Sequence, residues 1–193
     1  MFLSFKNVVF TYEGSPETVF ENLSFTIGRG WTGVVGANGS GKSTLLRLAL
    51  GELAPGKGQI HQPCRGLYCP QRTDLAPDGL KDLLDDWRLE AQKLNQIMGL
   101  RPDWACGWET LSYGERKRAQ IAVMLYRNPG LLGVDEPTNH LDHEAAKQVW
   151  QSLKLFQGVG LLVSHDRELL DDLCNQCLFL TPQGIVLRPG NYS

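Results

Sequence analysis

Apolar residues, many of them β-branched or aromatic, recur along residues 2–12 and 18–27, which read as strands, with Gly14, Ser15 and Pro16 as turn formers between them. An antiparallel N-terminal layer is predicted. The pattern then changes to short stretches that are apolar throughout: Thr32-Gly33-Val34-Val35, Leu131-Leu132-Gly133-Val134 and Val159-Gly160-Leu161-Leu162-Val163. Strands of a parallel sheet covered on both faces read this way. Helical spacing appears between them: after residue 44 (Leu45 to Leu50), over 79–99 as two short helices (Leu80, Leu83, Leu84, Trp87, Leu89, Leu94, Ile97, Met98), from Leu111 to about residue 126, and over about 142–156. Arg101-Pro102-Asp103-Trp104 interrupts the second group, and Ala54 to Gly58 reads as a loop. Short strands are expected at 59–61 and 67–69, and a closing hairpin of 178–180 with 185–187 turns at Gln183-Gly184. These elements predict an α/β fold: a mostly parallel core sheet, an N-terminal antiparallel β layer and a small helical subdomain at about 72–127, inserted in one domain spanning 1–193. Glu115-Arg116-Lys117-Arg118 is a charge run that suits a solvated helix start and a partner contact equally.

Composition narrows the classes. The chain has 193 residues, 42% of them hydrophobic, enough to bury one sizeable core. A net charge of −2 provides no overall basic field, so no DNA partner is expected. No apolar run approaches the ~18 residues that span a bilayer, and the first six residues lack the regions of a signal peptide. A soluble, cytoplasmic protein is expected. Five cysteines at scattered positions do not form a secreted disulfide framework, and the single pair Cys174-Asn175-Gln176-Cys177 reads as core thiols rather than a zinc or redox site.

The chemistry concentrates where apolar strands end. Gly36-Ala37-Asn38-Gly39-Ser40-Gly41-Lys42-Ser43-Thr44 matches G-x-x-x-x-G-K-[ST] between a strand and a helix, the setting in which this spacing cradles phosphates. Glycines let backbone N–H groups turn inward, the helix N-terminus adds partial positive charge, Lys42 reaches the β- and γ-phosphates, and Ser43 offers its hydroxyl to Mg²⁺. Asp135 and Glu136 follow an apolar strand at its carboxyl end, where open α/β sheets bind ligands; Asp135 suits the metal shell and Glu136 the proton of an attacking water. His165 leaves the next strand toward the same edge and could hydrogen-bond a γ-phosphate. Gln71 stands at another strand exit, where its amide oxygen serves Mg²⁺ or a water, or is plain solvent-facing polarity. Tyr12 ends the first strand and is either a purine-stacking face or an ordinary strand-end tyrosine.

With these motifs in order, the chain resembles an ATP-binding cassette (ABC) domain, a P-loop NTPase, over nearly its full length. The resemblance implies that Tyr12 stacks on adenine and that Gly36 to Thr44 is the Walker A loop. It makes Gln71 the Q-loop glutamine, Leu111-Ser112-Tyr113-Gly114-Glu115 the signature, and Asp135 and Glu136 the Walker B acid and catalytic base. Asn139-His140-Leu141-Asp142 becomes the D-loop and His165 the switch histidine. ATP and Mg²⁺ are the implied cofactors, with Ser43, Gln71 and Asp135 around the metal. In such domains Ser112 and Gly114 serve the nucleotide of an opposing cassette. Asp135-Glu136-Pro137-Thr138-Asn139-His140-Leu141-Asp142, Ser164-His165-Asp166-Arg167 and Gly190-Asn191-Tyr192-Ser193 resemble the ABC-F family, tandem cassettes that act on ribosomes in translation and antibiotic protection. That likeness implies one half of a longer protein, hydrolysing ATP weakly when isolated. The ATPase subunit of a membrane transporter, gripping a coupling helix near Gln71, is the competing expectation; a non-hydrolysing nucleotide-gated module fits poorly with Glu136 and His165 both present. Two features depart from the pattern. Tyr113 stands where the signature has a glycine, and the stretch from Gln71 to Leu111 leaves no room for a long helical arm.

Overall fold

The computed structural model describes residues 1–181 and 184–190. The chain runs through β1 (Leu3–Thr11), β2 (Thr18–Ile27), β3 (Gly30–Gly36), α1 (Lys42–Ala49), β4 (Lys57–His61) and β5 (Leu67–Cys69). It continues through α2 (Leu80–Leu84), α3 (Leu89–Met98), α4 (Tyr113–Tyr126), β6 (Leu131–Asp135), α5 (His143–Leu153), β7 (Val159–Val163), α6 (Arg167–Leu173), β8 (Cys174–Thr181) and β9 (Gly184–Pro189). Two compact units result: Met1–Tyr68 with Pro129–Asp135 and Gln157–Ser193, and Cys69–Asn128 with Glu136–Phe156.

The first unit holds both sheets. β2-β1-β4 form the antiparallel N-terminal layer. The alternation in β1 slips partway along: Leu3 and Phe5 are buried, then Val8 and Phe10. Asn7 takes a positive φ of 51° and the pairing register shifts between Phe5 and Val8, a bulge that moves the apolar set from odd to even positions. The second sheet has the order β5-β6-β7-β3-β8-β9. Pairs β6–β7, β7–β3 and β3–β8 are parallel, and β8–β9 is antiparallel. Every residue of β6 and β7 is buried, as the continuous apolar runs require. Leu45, Leu46 and Leu48 of α1 are fully buried in the same core as Val34, Leu131 and Val163. Of the closing hairpin, Gln183 lies outside the described residues, as do Asn191, Tyr192 and Ser193. Cys174 and Cys177 are buried on β8.

The second unit is helical. α2, α3, α4 and α5 bury Leu80, Leu83, Ala91, Leu94, Met98, Ile121, Val149 and Leu153. Two 3₁₀ turns, Pro102–Ala105 and Trp108–Thr110, carry the chain where regular helical spacing is lost. The helix expected from Leu111 begins at Tyr113, because Ser112 caps it. Trp87 and Leu89, counted among the helical apolar positions, are 89% and 64% exposed; residues 85–88 connect α2 and α3, so Trp87 belongs to no helical face. Residues 136–156, including α5, join this unit beside 69–128. The helix α6 had no forecast: at seven residues it is too short for its spacing to stand out.

Candidate functional site

The loop between β3 and α1 bends around its glycines. Gly41 precedes α1 with φ 91°, and a Cβ there would lie 2.8 Å from the Phe20 ring. A Cβ at Gly36 would lie 2.5 Å from Ser40 Oγ. Neither position admits a side chain without displacement, so backbone alone lines the bend. No side chain caps the N-terminus of α1, which leaves its N–H groups and dipole for a ligand. Lys42 Nζ donates to Gly36 O and Ala37 O, each at 3.0 Å, so the ammonium is held over its own loop. Ser43 Oγ donates to Asp135 Oδ2 at 2.6 Å. Ser40 Oγ is buried and, among the described residues, has no hydrogen-bond partner.

Around this loop, Tyr12 Oη and Thr44 Oγ1 share a 2.9 Å hydrogen bond, and the Tyr12 ring, 38% exposed, meets Phe10 edge-on. Parallel register aligns Val34 with Val163 and Val163 with Asp135. The ends of β3, β6 and β7 therefore share one edge, with exposed His165 two residues past β7. Asp166 follows as the cap of α6, accepting from Leu169 N at 3.1 Å. Tyr68 Oη donates to Asp135 Oδ2 at 2.9 Å. Burial, and then the neighbouring Asp135 carboxylate, push its hydroxyl well above the usual tyrosine range. Nothing in the local sequence marks Tyr68 beyond its place in a three-residue strand.

The remaining candidates sit on the helical unit. Glu136 is 9% exposed and takes φ 48°, a left-handed conformation rare for glutamate. Ser112 caps α4 in a reciprocal box: its hydroxyl accepts from Glu115 N at 3.3 Å, while Glu115 Oε2 accepts from Ser112 N at 2.8 Å. A Cβ at Gly114 would stand 3.5 Å from Leu141 Cδ2, ordinary contact distance. The charge run is a solvated helix start only in part. Lys117 is 0% exposed, because helical period places it on the buried face with Ile121. Arg116 donates to Trp108 O and Glu109 O, and Arg118 to Met98 O and Gln148 Oε1. The structure thus gathers Tyr12, Lys42, Ser43, Thr44 and Asp135 in the first unit, with His165 on the same sheet edge. Gln71, Ser112, Gly114 and Glu136 belong to the second.

The family model described as ABC transporter matches residues 20–139. The chain belongs to the ATP-binding cassette family. Ribosome protection protein VmlR of Bacillus subtilis (strain 168) is 35% identical over 95% of this cassette and 32% of its own length. ATP-binding cassette sub-family F member 2 of Mus musculus is 31% identical, over 96% of the cassette and 32% of that protein. The cassette therefore spans about a third of the length of the curated relatives it matches. Its fold is shared with the dimeric post-hydrolysis state of the ATP-binding cassette MJ0796 bound to ADP and Pi: TM-score 0.81, 21% identity, covering 97% of this chain and 98% of that one. No helix among the described residues is long and apolar enough to cross a membrane.

The cassette's own residues fit a metal-bound triphosphate. A hydroxyl and a carboxylate oxygen already in contact, Ser43 Oγ and Asp135 Oδ2, make the hard oxygen pair that Mg²⁺ takes. The buried, unpartnered Ser40 hydroxyl and the uncapped α1 terminus provide donors that an anion would satisfy.

Proposed function

We propose that this cassette binds ATP with Mg²⁺, hydrolyses it by closing against a second cassette, and belongs to a cytoplasmic, ABC-F-type protein that acts on the ribosome. The nucleotide reading is carried by the convergence of Lys42, Ser43 and Asp135 at the glycine loop. Lys42 exchanges its two carbonyl acceptors for phosphate oxygens, and backbone N–H groups at the start of α1 bind the rest of the anion. Ser43, Asp135 and Gln71 hold the metal, which when bound neutralises phosphate charge. Glu136 takes the proton of the attacking water, and His165 hydrogen-bonds the γ-phosphate. Ser112 and Gly114 serve the opposing cassette's nucleotide. Isothermal calorimetry tests the cradle: Lys42→Ala abolishes ATP binding, and unchanged affinity overturns the assignment.

The ribosomal reading is supported by the sub-family F relatives and by a ribosome protection protein at 35% identity. In the protein that carries this cassette, Glu136→Gln with the matching change in the second cassette is expected to keep ribosomes bound in ATP. Gradient sedimentation reads this. Absence of ATP-dependent co-sedimentation, with recovery in the membrane fraction, supports the transporter-subunit reading instead.

A further inference from the structure

Three consecutive backbone carbonyls, those of Pro70, Gln71 and Arg72, are held by side chains of one helix. Tyr113 Oη donates to Gln71 O at 3.0 Å. Lys117 Nζ donates to Pro70 O at 2.6 Å and to Gln71 O at 3.4 Å. Gln120 Nε2 donates to Arg72 O at 3.1 Å. The three donors stand at i, i+4 and i+7 of α4, one face of a helix with 3.6 residues per turn.

The segment they hold follows β5 in irregular conformation, so its carbonyls have no strand ladder and depend on side-chain donors. Lys117 is fully buried and Gln120 is 6% exposed. A buried ammonium is expensive unless its hydrogens are taken up, and bonds from a charged donor are the stronger kind. Gln120 is itself fixed: its Oε1 accepts from Lys117 Nζ at 3.2 Å and from Cys69 Sγ at 3.4 Å, which leaves its amide nitrogen for Arg72 O. Tyr113, the first residue of α4, meets His140 edge-on with ring centroids 6.0 Å apart.

We propose that Tyr113, Lys117 and Gln120 are positioning residues that clamp the backbone of 70–72 to α4 and thereby fix where the Gln71 amide projects. Its catalytic consequence rests on the reading of Gln71 as a residue of the nucleotide site. The tyrosine that departs from the signature then has a task no glycine could perform. It ties the first turn of α4, the turn that carries Gly114, to the Gln71 carbonyl, so displacement of the signature displaces Gln71.

Amide hydrogen exchange tests the clamp directly. Tyr113→Phe deletes one hydroxyl, and Lys117→Met keeps length while removing the donors. Loss of one net hydrogen bond is expected to speed exchange at Gln71, Arg72 and Thr73 about fivefold in Tyr113→Phe, and more in Lys117→Met, with β3 and α1 unchanged. Unchanged exchange at 71–73 overturns the clamp, and Tyr113→Phe decides alone should Lys117→Met fail to fold. Mn²⁺ affinity in the presence of ATP, read by electron paramagnetic resonance, tests the consequence. Gln71→Ala and Tyr113→Phe each weaken it, and the double variant no further. Weakening by Gln71→Ala but not by Tyr113→Phe overturns the positioning role. Faster exchange with Gln71→Ala silent toward Mn²⁺ supports the clamp while removing Gln71 from the metal site.

Discussion

Lys42 shows how a single residue is prepared for a ligand by its own loop. Its ammonium is bonded to two carbonyls of the turn it closes, so the proposed phosphate would replace existing acceptors rather than order a free side chain. Tyr12 separates two contributions in the same way. Its hydroxyl bonds Thr44, while its ring is the surface that the proposed purine stacking would use. Tyr12→Phe is expected to leave ATP affinity near the parent value, and Tyr12→Ala to weaken it roughly 5- to 150-fold, since base–aromatic stacking contributes about 1–3 kcal/mol. Equal affinities in a titration with a fluorescent ATP analogue would remove Tyr12 from the site. At this scale the sequence was most legible where spacing is dictated by backbone geometry, as in the glycine loop. Tyr68 and Lys117 were not legible. Asp135 as the partner of Tyr68 is 67 positions away, and Lys117 reads as one more charge in a run until helical packing buries it.

Among the elements, α4 carries the most structure in its first turn. Ser112 and Glu115 satisfy each other's backbone donors, and Ser112→Ala is expected to lower unfolding free energy by about 1 kcal/mol. Denaturant titration checks it. The Ser112 backbone N–H, and then its hydroxyl, hold the Glu115 carboxyl below the usual carboxylate range. A folded value below the unfolded one means the contribution is complete above the unfolded value and is lost as pH falls through the folded one. The difference between the serine and alanine proteins therefore narrows as pH falls through the folded Glu115 value, by the share that the Ser112 hydroxyl contributes to the carboxylate, while its bond from Glu115 N persists. NMR titration of Glu115 is expected to show a higher midpoint in Ser112→Ala; identical midpoints would mean that the Ser112 hydroxyl contributes nothing to the carboxylate in solution. The S-x-x-E spacing was readable as a helix start. The slip in β1 was not, because a bulge at Asn7 looks like a break in alternation until the partner strand is seen.

For the molecule as a whole, the proposed mechanism divides each site between two cassettes, so this chain alone has Lys42, Asp135 and Glu136 without an opposing Ser112 and Gly114. Lost preorganised donors of this kind lower rates by about 10²–10³-fold, and slow turnover is expected from the isolated chain. Glu136→Gln keeps the shape and removes the base, which would trap ATP in any dimer that forms. The Tyr113 ring is fastened to Gln71 O and occupies the place of a glycine where backbone must approach phosphate. Light scattering with ATP and Mg²⁺ is expected to show a monomer at low micromolar protein. A stable dimer would show that the ring is accommodated.

The sequence by itself determined the glycine loop, the order of the strands and of the helices other than α6, and the carboxylates at strand ends, because each is encoded by local periodicity or by fixed spacing. Tertiary structure decided the rest. The sheet order, the membership of α5 in the helical unit, the hydroxyl of Tyr68 on Asp135 and the three α4 donors on residues 70–72 all join positions distant along the chain. Such pairings depend on which buried polar groups find partners once the core has formed, and local pattern does not record that outcome.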